Sequence, residues 1–294
     1  MGAASKRYGM FDTILVPVDG SECSDLAVDY AADLARRYDA TVYVATVIDV
    51  RLIATAPQYD HLRSEATALV DSVANRLEAS GVATTNVVRT AKPYQGVLMV
   101  AEDYDADLII MGTHGRSGVD RYLLGSVTER VIRRSDVPVL TVRTRDDGNV
   151  SFPYDDVLVP TDGSDGAEAA YEPAIALATA YDAMLHALSV IETNALGLET
   201  APKGNDEGPD EAARMALEEV EANASQASAA DVVTEITFGS PHEEIRSYVR
   251  EHDIDLVVMG THGRSGLPRY LLGSVAEKLV RTASVPVMTV RKPS

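Results

Sequence analysis

MGTHGRSGVDRYLLGSVTERVIRRSDVPVLTVR, residues 111–143, returns at residues 259–291 as MGTHGRSGLPRYLLGSVAEKLVRTASVPVMTVR. About 23 of the 33 positions are identical across a spacing of about 148 residues, half of the 294-residue chain. That spacing marks duplication of a whole domain, because a solenoid repeats every 20 to 50 residues or so. Outward from this block, Asp12-Thr13-Ile14-Leu15-Val16-Pro17-Val18-Asp19-Gly20-Ser21 finds its partner in Asp156-Val157-Leu158-Val159-Pro160-Thr161-Asp162-Gly163-Ser164, at an offset of about 143. The second half therefore carries a net insertion of about five residues, placed by its polarity in Asn194 to Glu211.

Short β-branched runs alternate with longer amphipathic ones through the first half. Strands are expected at Thr13 to Val18, Thr41 to Ile48, Val82 to Arg89, Leu108 to Met111 and Val137 to Arg143, and helices at Cys23 to Tyr38, Tyr59 to Ser80, Tyr94 to Tyr104 and Leu124 to Arg134. The second half repeats the order with strands at Val157 to Thr161, Met184 to Ile191, Val232 to Phe238, Leu256 to Met259 and Val285 to Val290. Strict strand–helix alternation predicts an α/β fold, two tandem doubly wound domains, each a parallel sheet covered by helices on both faces. Right-handed crossovers then leave few topologies. The polar, glycine-bearing run Thr144 to Pro153 reads as the linker between domains spanning 8–145 and 153–292.

The last strand of each half carries a proline at its second position, Pro138 or Pro286, which suits a sheet edge. Two hydrophobic edges in one chain can cover each other, so the halves are expected to dock through their final strands as an internal pseudo-dimer. The alternative is that each edge is covered by its own linker, and the sequence leaves a homodimer of the tandem chain open.

At 46% hydrophobic residues, each half can bury about two thirds of its unfolded surface. Cys23 is the single cysteine, which excludes an intrachain disulfide and gives no support to a metal or redox centre. No apolar run reaches the roughly 18 residues of a membrane span, and the N-terminal stretch lacks a signal-peptide core, so the expectation is a soluble cytoplasmic protein. A net charge of −19 and a pI near 4.6 argue against nucleic-acid and anionic-membrane partners. Arginine outnumbers lysine and aspartate outnumbers glutamate, which fits either a protein adapted to concentrated salt or an ordinary acidic one.

The spacing Gly112-x2-Gly115-x9-Gly125-Ser126 recurs as Gly260-x2-Gly263-x9-Gly273-Ser274, each between a short strand and a helix. Glycine lets backbone N–H groups approach an anion closely, and a helix N-terminus offers unpaired donors with partial positive charge, so this is a phosphate-loop arrangement. Ser126 and Ser274 are placed either to cap the helix or to donate to a phosphate oxygen. Neither GxxxxGK[ST] nor GxGxxG occurs at these blocks, so a different cradle is implied. The bland alternative is that the glycines are turn formers. Arg116, Arg121, Arg264 and Arg269 could offset phosphate charge or pair on the surface. His114 and His262 stand alone within the loops, without the spaced carboxylate or cysteine partner that metal or general-base chemistry needs.

The motif GTHGRSGxxRYLLGSV, with a first strand ending VPVDGS, resembles the universal stress protein family, and the match covers both halves in the manner of its two-domain members. The resemblance implies a five-stranded parallel sheet in the order 3-2-1-4-5 that binds ATP at the carboxyl ends of its strands. That order reverses between the first and fourth strands, where open α/β sheets form their ligand crevice. By the same resemblance Asp19 and Asp162 would hydrogen-bond the adenosine, the backbone of Val47 and Val190 would meet the adenine edge, and Pro17 and Pro160 would shape the strand end. The nucleotide-contacting set is completed by Val18, Met111, Gly112, Gly115, Arg116, Gly125, Ser126 and Val127 in the first half. Thr161, Met259, Gly260, Gly263, Arg264, Gly273, Ser274 and Val275 complete it in the second. An Asx turn or helix N-cap is the alternative role for each aspartate.

Mg2+ would accompany the ATP, with no dedicated protein cage for it. The function implied is a nucleotide-dependent binding module or switch in the stress response. The alternatives are a slow ATPase or self-phosphorylating enzyme using Ser126, Ser274, Thr113 or Thr261, and a nucleotide-independent scaffold. The halves diverge in the connection after the second strand, DVRLIATAPQYD against ETNALGLETAPKGNDEGPDE. Asp206, Glu207, Asp210 and Glu211 would repel triphosphate if that segment covers its cleft, so weaker nucleotide binding is expected in the second half. Ala91-Lys92-Pro93 in place of Gly239-Ser240-Pro241 is a departure that touches only a local turn.

Overall fold

The computed structural model describes residues 10–115, 124–144, 152–193, 209–227, 231–263 and 272–292. The chain divides into two compact units, Met1–Gly148 and Asn149–Ser294. In the first, β1 (Thr13–Pro17), α1 (Glu22–Tyr38), β2 (Thr41–Asp49), α2 (Ala56–Ala79), β3 (Thr84–Ala91), α3 (Pro93–Asp103), β4 (Leu108–Gly112), α4 (Ser126–Arg134) and β5 (Val139–Val142) follow one another. The strands pair in parallel in the order 3-2-1-4-5. The second unit has β6 (Asp156–Thr161), α5 (Asp165–Glu168), α6 (Tyr171–Tyr181), β7 (Met184–Glu192), α7 (Pro209–Gln226), β8 (Val232–Gly239), α8 (Pro241–Glu251), β9 (Leu256–Gly260), α9 (Ser274–Thr282) and β10 (Val287–Val290). Its order, 8-7-6-9-10, is the same topology.

Why these runs become central strands is visible in their burial. Ile14, Leu15 and Val16 of β1 and Leu108, Ile109 and Ile110 of β4 are consecutive and fully buried, as a strand must be when helices cover both faces of its sheet. β3 and β8, at one end of their sheets, expose several residues each. Their edges carry charged and polar pairs, Arg89 with Asp103 and Thr234 with Glu221, which suit an open strand. Pro138 and Pro286 stand one residue before β5 and β10 rather than within them; lacking an N–H, each joins the ladder only as an acceptor, from Ile109 N and Val257 N. β3 begins two residues later than its hydrophobic run suggests, because Val82 packs inward from the turn after α2.

One helix departs from the repeat. α1 is continuous, whereas the matching segment breaks at Ala169 and Ala170 into α5 and α6. Pro173 stands where the first unit has Tyr30. In an unbroken helix its ring would strike the carbonyl of Ala169; at the third position of a new helix its missing N–H costs nothing.

Both sheets are anchored at the amino end of the first strand by a carboxylate from the turn before the fourth. Asp107 Oδ2 accepts from Asp12 N and Thr13 N (2.9 Å each), and Asp255 Oδ2 accepts from Asp155 N and Asp156 N (2.8 and 3.2 Å). Nearby, the second unit buries a polar chain that the first lacks: His186 Nε2 lies 2.9 Å from Asp156 Oδ1 and His186 Nδ1 lies 2.9 Å from the Tyr248 hydroxyl. Burial pushes the Tyr248 phenol up to about 12, so it stays a neutral donor to the imidazole. Tyr248→Phe keeps the shape and orphans a buried nitrogen, so a loss of about 1–3 kcal/mol is expected in urea unfolding; an unchanged midpoint would contradict this role.

Candidate functional site

β1 ends at Pro17, yet the chain is held for one more step. Val18 N donates to Ala45 O (2.7 Å), and Thr46 Oγ1 donates to Val18 O (2.8 Å). The next residue, Asp19, is therefore delivered at a fixed height above the sheet. Its Oδ1 accepts from Ser21 N and Ser21 Oγ (3.0 and 2.6 Å) across a turn for which Gly20 adopts φ 77°. Asp162 repeats the arrangement with Ser164 N and Oγ (3.0 and 2.6 Å), around Gly163 at φ 69°. The Asx-turn role is thus real for one oxygen of each aspartate. The helix cap belongs to the serines, Ser21 accepting from Ser24 N and Ser164 from Ala167 N.

The second carboxylate oxygen meets the glycine loop. A Cβ on Gly115 would lie 2.5 Å from Asp19 Oδ2, and one on Gly263 would lie 2.6 Å from Asp162 Oδ2. Residues nearly a hundred positions apart thus converge at the crevice between β1 and β4, and between β6 and β9. Pro17, Val18, Met111 and Gly112 gather there in the first unit, as do Pro160, Thr161, Met259 and Gly260 in the second. Gly112 and Gly260 are the close-packing positions: a Cβ on Gly112 would sit 2.6 Å from Cys23 Cβ, and one on Gly260 would run into the carbonyl of Gly166.

The base of each loop is tied shut. Thr113 N donates to Val142 O (2.9 Å) and Gly125 N to Thr113 O (2.7 Å); Thr261 N donates to Val290 O (2.9 Å) and Gly273 N to Thr261 O (2.8 Å). His114 and His262 each place Nδ1 2.9 Å from the hydroxyl of the preceding threonine, a contact that shapes the loop. These bonds bring Gly125, Ser126 and Val127, and Gly273, Ser274 and Val275, to the same ends of the sheets as the aspartates. Arg116, Arg121, Arg264 and Arg269 lie outside the described residues.

Ser126 and Ser274 do not cap their helices. Gly125 and Gly273 hold the cap positions without a side-chain bond, and the serines follow as exposed first helical residues. The first-turn amides of α4 and α9 thus lack a side-chain cap, which is the donor array an anion uses. Val47 sits on β2, one strand from β1, with its side chain against Gly96 of α3, where a Cβ would approach Val47 Cγ1 to 2.5 Å. Val190 has the matching place on β7. Sequence reading missed Thr46 and Thr128, whose hydroxyls donate to the carbonyls of Val18 and Gly112 (2.8 and 2.9 Å) and fix the strand ends. Neither a threonine within a β-branched strand nor one in the first turn of a helix carries a signal that marks this role.

A model of the universal stress protein family matches residues 10–143 and again 153–291. The chain belongs to the universal stress protein family. Among similar proteins, a universal stress protein of Mycobacterium tuberculosis is 29% identical over 313 residues, covering 99% of this chain and 100% of that protein. A universal stress protein of Methanocaldococcus jannaschii is 36% identical over 141 residues, covering 46% of this chain and 83% of its own length. The crystal structure of a universal stress protein from Archaeoglobus fulgidus superposes with a TM-score of 0.76 at 26% identity, covering 95% of this chain and 98% of that one. The mycobacterial relative is thus matched along its whole length, across both family domains of this chain.

The two clefts of this universal stress protein are not copies in detail. Thr161 Oγ1 lies 2.5 Å from the Tyr171 hydroxyl and accepts from Gly163 N (3.1 Å), whereas Val18 and Val28 stand at those places in the first unit. Burial pushes the Tyr171 phenol up to about 12, with Glu219, Glu168 and Asp162 adding to the shift. α7 rests on the turn after β6, with Ala216 Cβ 3.1 Å from a Cβ placed on Gly163.

Proposed function

We propose that this universal stress protein binds adenine nucleotide, ATP with Mg2+, at the carboxyl ends of both sheets, and acts as a nucleotide-dependent module or switch rather than as an efficient enzyme. The observation that carries this reading is the meeting of Asp19 with Gly115, and of Asp162 with Gly263, beside helices whose first-turn amides have no side-chain cap. The aspartates would take the ribose, the backbone of Val47 and Val190 the adenine edge, and the Gly112–Gly115–Gly125 and Gly260–Gly263–Gly273 frames the phosphates, with Arg116 and Arg264 offsetting their charge. Ser126, Val127, Ser274 and Val275 would contribute first-turn amides.

Among the described residues no group of three His, Cys, Asp or Glu side chains is arranged to hold a metal, so a magnesium ion would arrive on the phosphates. Also among these residues, no helix is long and apolar enough to cross a membrane. The chain's acidity supports a protein without nucleic-acid partners, for which a cytoplasmic location is proposed. Domain limits of 8–145 and 153–292, and pairing of the halves through their final strands, rest on the sequence argument given above.

The competing enzyme reading invokes Ser126, Ser274, Thr113 or Thr261 as phosphate acceptors. Single-turnover incubation with ATP labelled on the γ-phosphate separates the two. Label recovered as intact ATP over many minutes is expected, whereas stoichiometric label on protein or released phosphate would replace the binding module with an enzyme.

A further inference from the structure

The duplicated clefts differ in the charged residues placed around them, and most of the exchanges make the second more acidic. In the first unit, Asp25 and Asp29 of α1 face Arg76 of α2, at 3.7 and 3.9 Å, and α3 carries Gly96 against β2. Aligning the buried positions Val70, Val73 and Leu77 of α2 with Leu217, Val220 and Ala224 of α7 puts Asn223 where Arg76 stands and Glu219 where Ser72 stands. Glu168 takes the place of Asp25. Burial and Glu168 together push the Glu219 carboxyl up, so these two acids feel each other beside the Thr161–Asp162 corner. Lys292 is a base on that side among the described residues; it is held by Asp165 at 2.6 Å and feels Glu168 more weakly.

At the other end of the second cleft, Glu244 replaces Gly96. Its carboxylate lies 3.5 Å from Thr237 Oγ1 and against Gly239, at the end of β8, and Thr237 is the register partner of Val190. The first unit has Lys92 at the head of α3 where the second has Ser240. Acids thus flank the second cleft on both sides, Glu168, Glu219 and Glu244 standing where the first unit has Asp25, Ser72 and Gly96, and Asn223 and Ser240 replace the bases Arg76 and Lys92.

Resting on the nucleotide reading above, we propose that the clefts are selective by ligand charge: the first is the polyphosphate site, and the second favours adenosine-type ligands of low charge over ATP. Acids within about one Debye length, roughly 8 Å at physiological salt, of a multiply charged ligand disfavour it by roughly tenfold when two or three act together.

The test is calorimetric titration of the full chain with Mg-ATP and with adenosine, for wild type and for a Glu168→Gln/Glu219→Gln/Glu244→Gln variant whose circular dichroism is checked. Wild type is expected to show two Mg-ATP events separated by about tenfold in affinity, and adenosine events within about threefold of each other. The Mg-ATP gap should close in the triple variant and in molar KCl. Gly115→Trp should remove the stronger Mg-ATP event and Gly263→Trp the weaker. Two equal Mg-ATP events, a gap unmoved by charge neutralisation, or a strong event lost with Gly263→Trp would each overturn the proposal alone. Absence of any event with either ligand would overturn the nucleotide reading and this proposal with it.

Discussion

Gly260→Val is expected to cost the second unit about 3 kcal/mol or more and to lower its melting temperature by about 10 °C, with the first unit unaffected. The added Cβ would meet the carbonyl of Gly166, its carbon at 2.6 Å and Ala167 N at 3.0 Å, all backbone atoms of the turn that starts α5. Backbone cannot rotate away as a side chain can, so either α5 lifts from β9 or the strand shifts, and both expose apolar surface now buried at Val257 and Val258. Gly112 faces Cys23 Cβ, C and O instead, at 2.6, 2.9 and 3.0 Å, so Gly112→Val should destabilise the first unit by the same mechanism. Urea unfolding followed by circular dichroism checks both; wild-type midpoints would mean that the strand ends tolerate bulk and that the close packing is not what requires glycine.

Gly115→Trp and Gly263→Trp should behave in the opposite way, abolishing nucleotide binding at their own cleft by at least about 100-fold while leaving the melting temperature within about 2 °C. Among the described residues, a new Cβ here first meets the carboxylates of Asp19 and Asp162. These are side-chain atoms rather than backbone, so the fold can accommodate bulk that the ligand cannot. Loss of fold in both variants would favour the scaffold reading, in which the loops exist for packing. The pairing of the two experiments matters because glycines three residues apart in one motif are assigned different physical duties: Gly112 and Gly260 for helix–strand contact, Gly115 and Gly263 for ligand approach.

The strand order, and the placing of the ends of β1 and β4 at one crevice, were legible because parallel connectivity and the reversal point follow from strand–helix alternation and the family motif. The role of Ser126 was not. Serine at the head of a helix fits a cap or a first-turn residue equally, and only the position of Gly125 decides between them. The break between α5 and α6 was written in Pro173, but periodicity across Ala169 and Ala170 hides it, since alanine serves helix and turn alike. Thr46, Thr128 and Tyr171 act through hydroxyls on residues that pattern reading counts as strand, helix or core. The exchange of Cys23 for Gly166 shows the same limit: which side chain must shrink depends on how near a helix stands to a strand end, and no local signal carries that distance.

Adenine-nucleotide binding by these clefts is measured by titrating the purified, nucleotide-free chain with Mg-ATP by calorimetry, in dilute buffer and in molar KCl, reading stoichiometry with affinity. Saturable binding at two sites per chain, one lost with Gly115→Trp and the other with Gly263→Trp, is the predicted result. Folded protein that shows no heat of binding under either condition would contradict it.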